Sequence, residues 1–169
     1  MNEKEFVDAL IRQIRKGFAG ACAIRPSDRY SLGLPDVLAW IPTDGRMGPR
    51  PLTWSIAIEA KSLHPLMPDP FHKGRRTGQM LKHAFQGPQV SMLRKMKDSG
   101  VDAFGLVRAS DDTAFRIEPE DIPAKTGNFT HEELVKFGTP VRRENGLWVF
   151  WEADDGEVLG SRHRDDSGE

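Results

Sequence analysis

An α/β fold, with helices laid against a mixed central sheet, is what this sequence predicts, and three observations carry the prediction. An apolar period of 3.6 residues runs along the N-terminal segment, a strictly alternating run occupies Trp54 to Lys61, and short apolar runs interleave with helical ones. Interleaved strands and helices favour a sheet covered by helices over an all-α or all-β architecture.

Taken in order, Glu3 to Lys16 reads as an amphipathic helix with Phe6, Val7, Leu10, Ile11 and Ile14 on one face, ended by Gly17 and Gly20. Ala21 to Ile24 reads as a first strand, followed by the polar loop Arg25 to Arg29. Val37 to Ile41 is an apolar run of strand length, and residues 43–51, crowded with Gly and Pro, form a turn or loop. In the next run Trp54, Ile56, Ile58 and Ala60 point one way while Ser55, Ala57, Glu59 and Lys61 point the other, and the two strands form a hairpin. Leu63 to Gln86 is a long excursion with little periodicity. A helix opens at Gly87-Pro88 and closes at Gly100, burying Met92, Leu93 and Met96. Ala103 to Val107 and Thr113 to Ile117 are strands joined by Ser110-Asp111-Asp112. Thr130-His131-Glu132-Glu133 matches a capping box opening a helix from Glu132 to Phe137, which Gly138 ends. Asn145-Gly146 between Val141 and Leu147 to Trp151 signals a further hairpin. Trp40, Trp54, Trp148 and Trp151 fall in strand patterns and are expected in the core.

A chain of 169 residues favours one domain, assigned here to residues 1–153, with 154–169 an acidic tail. One cysteine, Cys22, excludes an internal disulfide framework and fits a reducing compartment. No apolar run approaches the roughly 20 residues of a membrane span, and the charged N-terminus lacks a signal-peptide order, so a cytoplasmic protein is expected. The net charge of −1 hides an asymmetry. Lys61, Lys73, Arg75, Arg76, Lys82, Arg94, Lys95 and Lys97 share their stretch with one acid, Asp69, and the C-terminus carries the balancing acids. Lys73, Arg75, Arg76 and Lys82 are candidates to clamp phosphates of a nucleic acid. His64, His72 and His83 match no common zinc-ligand spacing. No base-reading helix is visible, so recognition by shape and backbone is expected.

Asp36 follows Pro35 at the entry to one strand, and Glu59 and Lys61, two apart, share a face of the next. If those strands pair, three charged groups converge on an otherwise apolar sheet, where carboxylates are costly unless they are paired or bind a metal. Asp36 and Glu59, with the backbone carbonyl of Ala60 and waters, make an oxygen-donor set suited to Mg²⁺, with Mn²⁺ as substitute. Such a metal can activate water against a phosphodiester, and Lys61 beside it can orient or deprotonate that water or stabilise the pentavalent transition state. The competing reading is an ordinary turn beside a surface acid-x-Lys pair.

Gly33-Leu34-Pro35-Asp36-Val37-Leu38 followed by Ile56-Ala57-Ile58-Glu59-Ala60-Lys61 resembles the PD-(D/E)xK nuclease superfamily, and among its small members Holliday-junction resolvases and VRR-type nuclease domains. The resemblance spans Glu3 to about Ile122 and implies a restriction-endonuclease-like core, a metal-dependent deoxyribonuclease and a DNA substrate of branched structure. Glu3-Lys4-Glu5-Phe6-Val7 is similar to the E-x-E motif of those resolvases, which implies Glu3, with Glu5 as alternative, as a second-metal or water ligand. Gln89 at the start of the following helix is similar to a glutamine these nucleases place near the metal or scissile phosphate, with Gln86 as alternative. Junction cleavage needs two active sites, so a homodimer is the expected assembly. Rival readings are a flap, nicking or restriction-like nuclease, an exonuclease, or a non-catalytic DNA-binding module of the same fold. The stretch between Lys61 and Gln89 and the region after Ile122 depart from the family pattern.

Overall fold

The computed structural model describes residues 2–27, 33–42, 53–62, 85–122, 131–144 and 146–149. Within them the elements run α1 (Glu3–Gly17), β1 (Cys22–Ile24), β2 (Val37–Pro42), β3 (Thr53–Ser62), α2 (Gly87–Asp98), β4 (Asp102–Arg108), β5 (Thr113–Ile117), α3 (His131–Phe137), β6 (Thr139–Glu144) and β7 (Leu147–Trp148). This is the order the sequence predicts.

Helix α1 starts at a reciprocal cap. Asn2 Oδ1 accepts from the Glu5 N–H at 2.9 Å, and the Glu5 carboxylate accepts from the Asn2 N–H at 2.8 Å. Glu3 and Glu5 in the first turn and Arg15 and Lys16 in the last complement the helix dipole. The five predicted apolar residues are all buried.

The seven strands form one mixed sheet in chain order. Pairing is antiparallel throughout except between β3 and β4, which are parallel, so α2 lies in the crossover that a parallel pair requires. Side-chain alternation divides the apolar residues between two cores. Trp54, Ile56, Ile58 and Ala60 of β3 pack with Phe104 and Leu106 against α1. Ala57, Ala103 and Val107 face Val90 and Leu93 of α2, and Phe115 and Ile117 share that core with Leu134 of α3. Helix α1 touches both edge strands, β1 and β7, so the sheet curls around it. Gln13 fixes the β7 end: its amide donates to the Trp148 carbonyl and accepts from the Trp148 N–H at 2.7 Å. The Trp148 ring meets Phe6 edge-on, centroids 5.6 Å apart.

Two core assignments need correction. On α2 the residues turned fully into the core are Val90 and Leu93, while Met92 and Met96 are half-buried, because the i, i+3 pair lies over β4 and Met92 falls on its flank. Trp40 is 40% exposed. It projects on the face of β2 away from α1, and α2 covers only β3 and β4 there. The region after Ile122, where the sequence departs from the family pattern, adds β6 to β5 and β7 to β6. Trp151, Thr130, residues 43–51 and the acidic tail lie outside the described residues. Among the described residues no helix is long and apolar enough to cross a membrane.

Candidate active site

The site begins where β2 stops. The last β2–β3 pair is Val37 with Ile58, whereas β3 runs on to Ser62 alongside β4. Asp36, one residue before β2, therefore lies level with Glu59. Its Oδ2 accepts from the Ala60 N–H at 3.0 Å, taking a backbone donor on the side that β2 has left. In a ladder the N–H and C=O of one residue face the same neighbour, so the Ala60 carbonyl is turned toward that side as well.

Glu59 and Lys61 share the face on which α2 lies, and both are buried, at 0% and 7% exposure. The two oxygens of Glu59 have different surroundings. Oε1 accepts from Lys61 Nζ at 2.6 Å and from Gln89 Nε2, while Oε2 is buried and has no hydrogen-bond partner among the described residues. Burial, and next the charge of Asp36, push the Glu59 carboxyl up to about 7, with Lys61 offsetting part of the rise. For Lys61, burial works to lower the pKa, but Glu59, helped by Glu3 and Asp36, outweighs it and the net shift is upward. Lys61 is thus an ammonium at neutral pH.

Of the other sequence candidates, Gln89 reaches the site through Glu59, and its Oε1 accepts from the Gln86 N–H at 2.8 Å. Gln86, its alternative, is the N-cap of α2. Glu3 Oε1 stands 4.0 Å from Lys61 Nζ. Glu5, the alternative to Glu3, is engaged in the α1 cap. The structure therefore brings Asp36, Glu59, Lys61, Gln89 and Glu3 to one end of the sheet. Lys73, Arg75, Arg76 and Lys82, and the histidines 64, 72 and 83, lie outside the described residues.

Four neighbours of the site escaped the sequence reading. Arg25, just after β1, has a guanidinium nitrogen 3.8 Å from Asp36 Oδ1. Gly105 is the register partner of Glu59, and a Cβ there would lie 2.6 Å from the Phe85 ring. Phe85 itself is 3% exposed. The available signal was Gly105 itself, since a glycine inside an apolar strand marks a close approach. Gly33 has φ +91°, and a Cβ there would meet the Pro88 carbonyl carbon at 2.5 Å.

Two carboxylates and a carbonyl are hard oxygen donors of the kind Mg²⁺ and Mn²⁺ take. A buried carboxylate oxygen without a donor, beside a second carboxylate, fits a cation at that point. The fit rests on these donors and on water, because among the described residues no three His, Cys, Asp or Glu side chains converge on one point.

No protein-family model matches the chain, and no curated protein matches it. Among solved structures it is similar to Hjc, a Holliday junction resolvase from the archaeal hyperthermophile Archaeoglobus fulgidus. The likeness is 16% in identity, with a TM-score of 0.49, over 80% of this chain and 93% of that one.

Proposed function

We propose that this chain is a metal-dependent DNA endonuclease of the PD-(D/E)xK kind, with a restriction-endonuclease-like core, acting on branched DNA. The observation that carries the reading is the buried Glu59 Oε2, without a hydrogen-bond partner among the described residues and beside Asp36, with the Lys61 ammonium on the other oxygen of the same carboxylate. An acid held in this way is costly to the fold, and a site that needs a cation and a fixed ammonium together gives it a use.

Asp36 and Glu59, with the Ala60 carbonyl, would hold Mg²⁺ or Mn²⁺. When bound, the ion supplies Lewis-acid stabilisation of the phosphoryl oxygens and lowers the pKa of water. Glu59 would offer Oε2 to the ion, since Oε1 already accepts from Lys61 and Gln89. Lys61 sets a positive charge beside the position of the scissile phosphate, where it can donate to the attacking water or to a non-bridging oxygen. Gln89 acts through Glu59, holding the carboxylate plane, and is a positioning residue. Arg25 and Glu3 flank this centre from opposite partners, Asp36 and Lys61. Lys73, Arg75, Arg76 and Lys82 would bind backbone phosphates, and a two-fold dimer would supply the pair of sites that a four-way junction requires.

The test is cleavage of end-labelled four-way junction, flap, nicked, linear and single-stranded DNA in Mg²⁺, Mn²⁺ and EDTA, with Glu59→Gln and Lys61→Ala alongside. Metal-dependent cutting that both substitutions abolish, strongest on the junction, is the expected result. Wild-type protein that cuts nothing in either metal refutes the nuclease reading. Preference for flap or linear DNA would keep the chemistry and replace the substrate.

A further inference from the structure

Segment 85–89 leads into α2, and two of its contacts lead back to Glu59. The Phe85 ring fills the space above Gly105, the strand partner of Glu59. One residue on, the Gln86 N–H donates to Gln89 Oε1, and Gln89 Nε2 donates to Glu59 Oε1. On the other side, the Pro88 backbone lies so close to Gly33 that no side chain fits between them. At its far end α2 is tied independently. Arg94 donates twice to the Pro119 carbonyl at 3.1 Å, and Lys97 binds Glu118 and Glu120 at 2.7 and 2.8 Å.

We infer that Phe85–Gln89 is a docked arm seated in two glycine notches, Gly105 and Gly33, and that the seating of Phe85 on Gly105 sets where Gln89 holds the Glu59 carboxylate. Phe85 and Gly105 are positioning residues for the metal ligand, an inference that rests on the metal-site reading above. The physical reason is that one carboxylate oxygen can be left free for a cation only if the other is fixed. Lys61 alone, on a flexible four-carbon stem, does not fix a plane. A glutamine whose own oxygen is anchored to the helix cap does. Partners that orient a ligand in this way are typically worth about 10- to 100-fold in metal affinity.

Gly105 offers a clean probe because it sits in regular strand geometry, and the three atoms nearest an added alanine Cβ all belong to the Phe85 ring. Three variants are compared with wild type: Gly105→Ala, Phe85→Leu and the two combined. The first pushes the ring out, the second leaves the notch empty, and the third refills it with a shorter side chain above a methyl group. Two readouts are taken. The Gln89 side-chain amide is followed by ¹⁵N spectroscopy and solvent exchange in EDTA, which requires no metal. Mn²⁺ affinity is measured by calorimetry.

Each single variant is expected to lose exchange protection at the Gln89 amide and to bind Mn²⁺ about 10- to 100-fold more weakly, and the combined variant to regain both. Protection that stays the same in folded Gly105→Ala or Phe85→Leu protein overturns the arm. Protection that follows the cycle while Mn²⁺ affinity stays constant overturns its role in positioning the ligand. Wild type that shows no Mn²⁺ binding refutes the metal-site reading and this inference with it, while the amide data still report on the contact itself. If Gly105→Ala does not fold, Phe85→Leu and the combined variant complete the comparison.

Discussion

Glu59 and Lys61, two residues apart on β3, hold each other at 2.6 Å in the buried end of the sheet, while Asp36 faces the same carboxylate from the strand before. With Arg25 beside Asp36 and Glu3 beside Lys61, the site holds two cations and three anions before any metal is considered. That imbalance should be visible in stability. Asp36→Asn removes the charge that opposes ionisation of Glu59 but keeps an oxygen able to accept from the Ala60 N–H. The variant is expected to melt at or above wild type in EDTA at pH 8, by about 1 kcal/mol in stability, and to lose cleavage in Mg²⁺. A melting temperature clearly below wild type would mean that Asp36 serves the fold and not a metal.

The pH dependence follows from the same carboxyl. In the unfolded chain Glu59 titrates near its ordinary value of 4.5, and in the folded chain at about 7. Between those values the folded state holds a proton that the unfolded state has released. Its contribution to stability is complete below about 4.5 and is lost as pH rises through about 7. Metal-free protein is therefore expected to lose on the order of 3 kcal/mol over that window relative to Glu59→Gln. Thermal melts in EDTA at half-unit steps, wild type against the variant, check it. Because the cation competes with that proton, Mn²⁺ affinity should weaken as pH falls below 7.

Away from the site, Gln13 pins the short edge strand β7 to α1. Gln13→Leu leaves the Trp148 N–H and C=O without these partners and is expected to cost about 1–2 kcal/mol. Hydrogen exchange should show the Trp148 amide opening before the amides of β3 and β4, while cleavage per folded molecule stays at the wild-type level. Loss of cleavage without loss of β7 protection would contradict this division of roles.

Periodicity made the elements legible. The alternation of Trp54 to Lys61 placed Glu59 and Lys61 on one face, and the 3.6 period of α1 identified its five buried residues. Contacts that depend on pairing across the chain were not legible. Nothing local says that Phe85 rests on Gly105, that Gln13 reaches Trp148 or that Arg25 approaches Asp36. Trp40 misled for a related reason: a tryptophan in a strand reads as core, and only the placement of α2 over β3 and β4 leaves its face uncovered.

Glu3 and Lys61 together decide what the α1 acid is for. Glu3 stands 4.0 Å from the Lys61 ammonium, and its side chain is 38% exposed. At that distance and exposure the pair contributes little to stability, so Glu3→Gln should stay within about 0.5 kcal/mol of wild type. Its effect on function separates two roles. As a direct ligand of a second metal, Glu3 would take part of the Mn²⁺ stoichiometry with it when replaced. As a partner of Lys61, it would leave Mn²⁺ binding intact and lower only the rate, by letting the ammonium swing from the phosphate. The geometry favours the second role, since the contact seen for Glu3 at the site, among the described residues, is with Lys61. Expected, then, are unchanged Mn²⁺ stoichiometry by calorimetry and a single-turnover rate about tenfold down for Glu3→Gln, against a loss of about 10²- to 10⁴-fold for Lys61→Ala. Loss of one bound Mn²⁺ per chain in Glu3→Gln would return Glu3 to the ligand set.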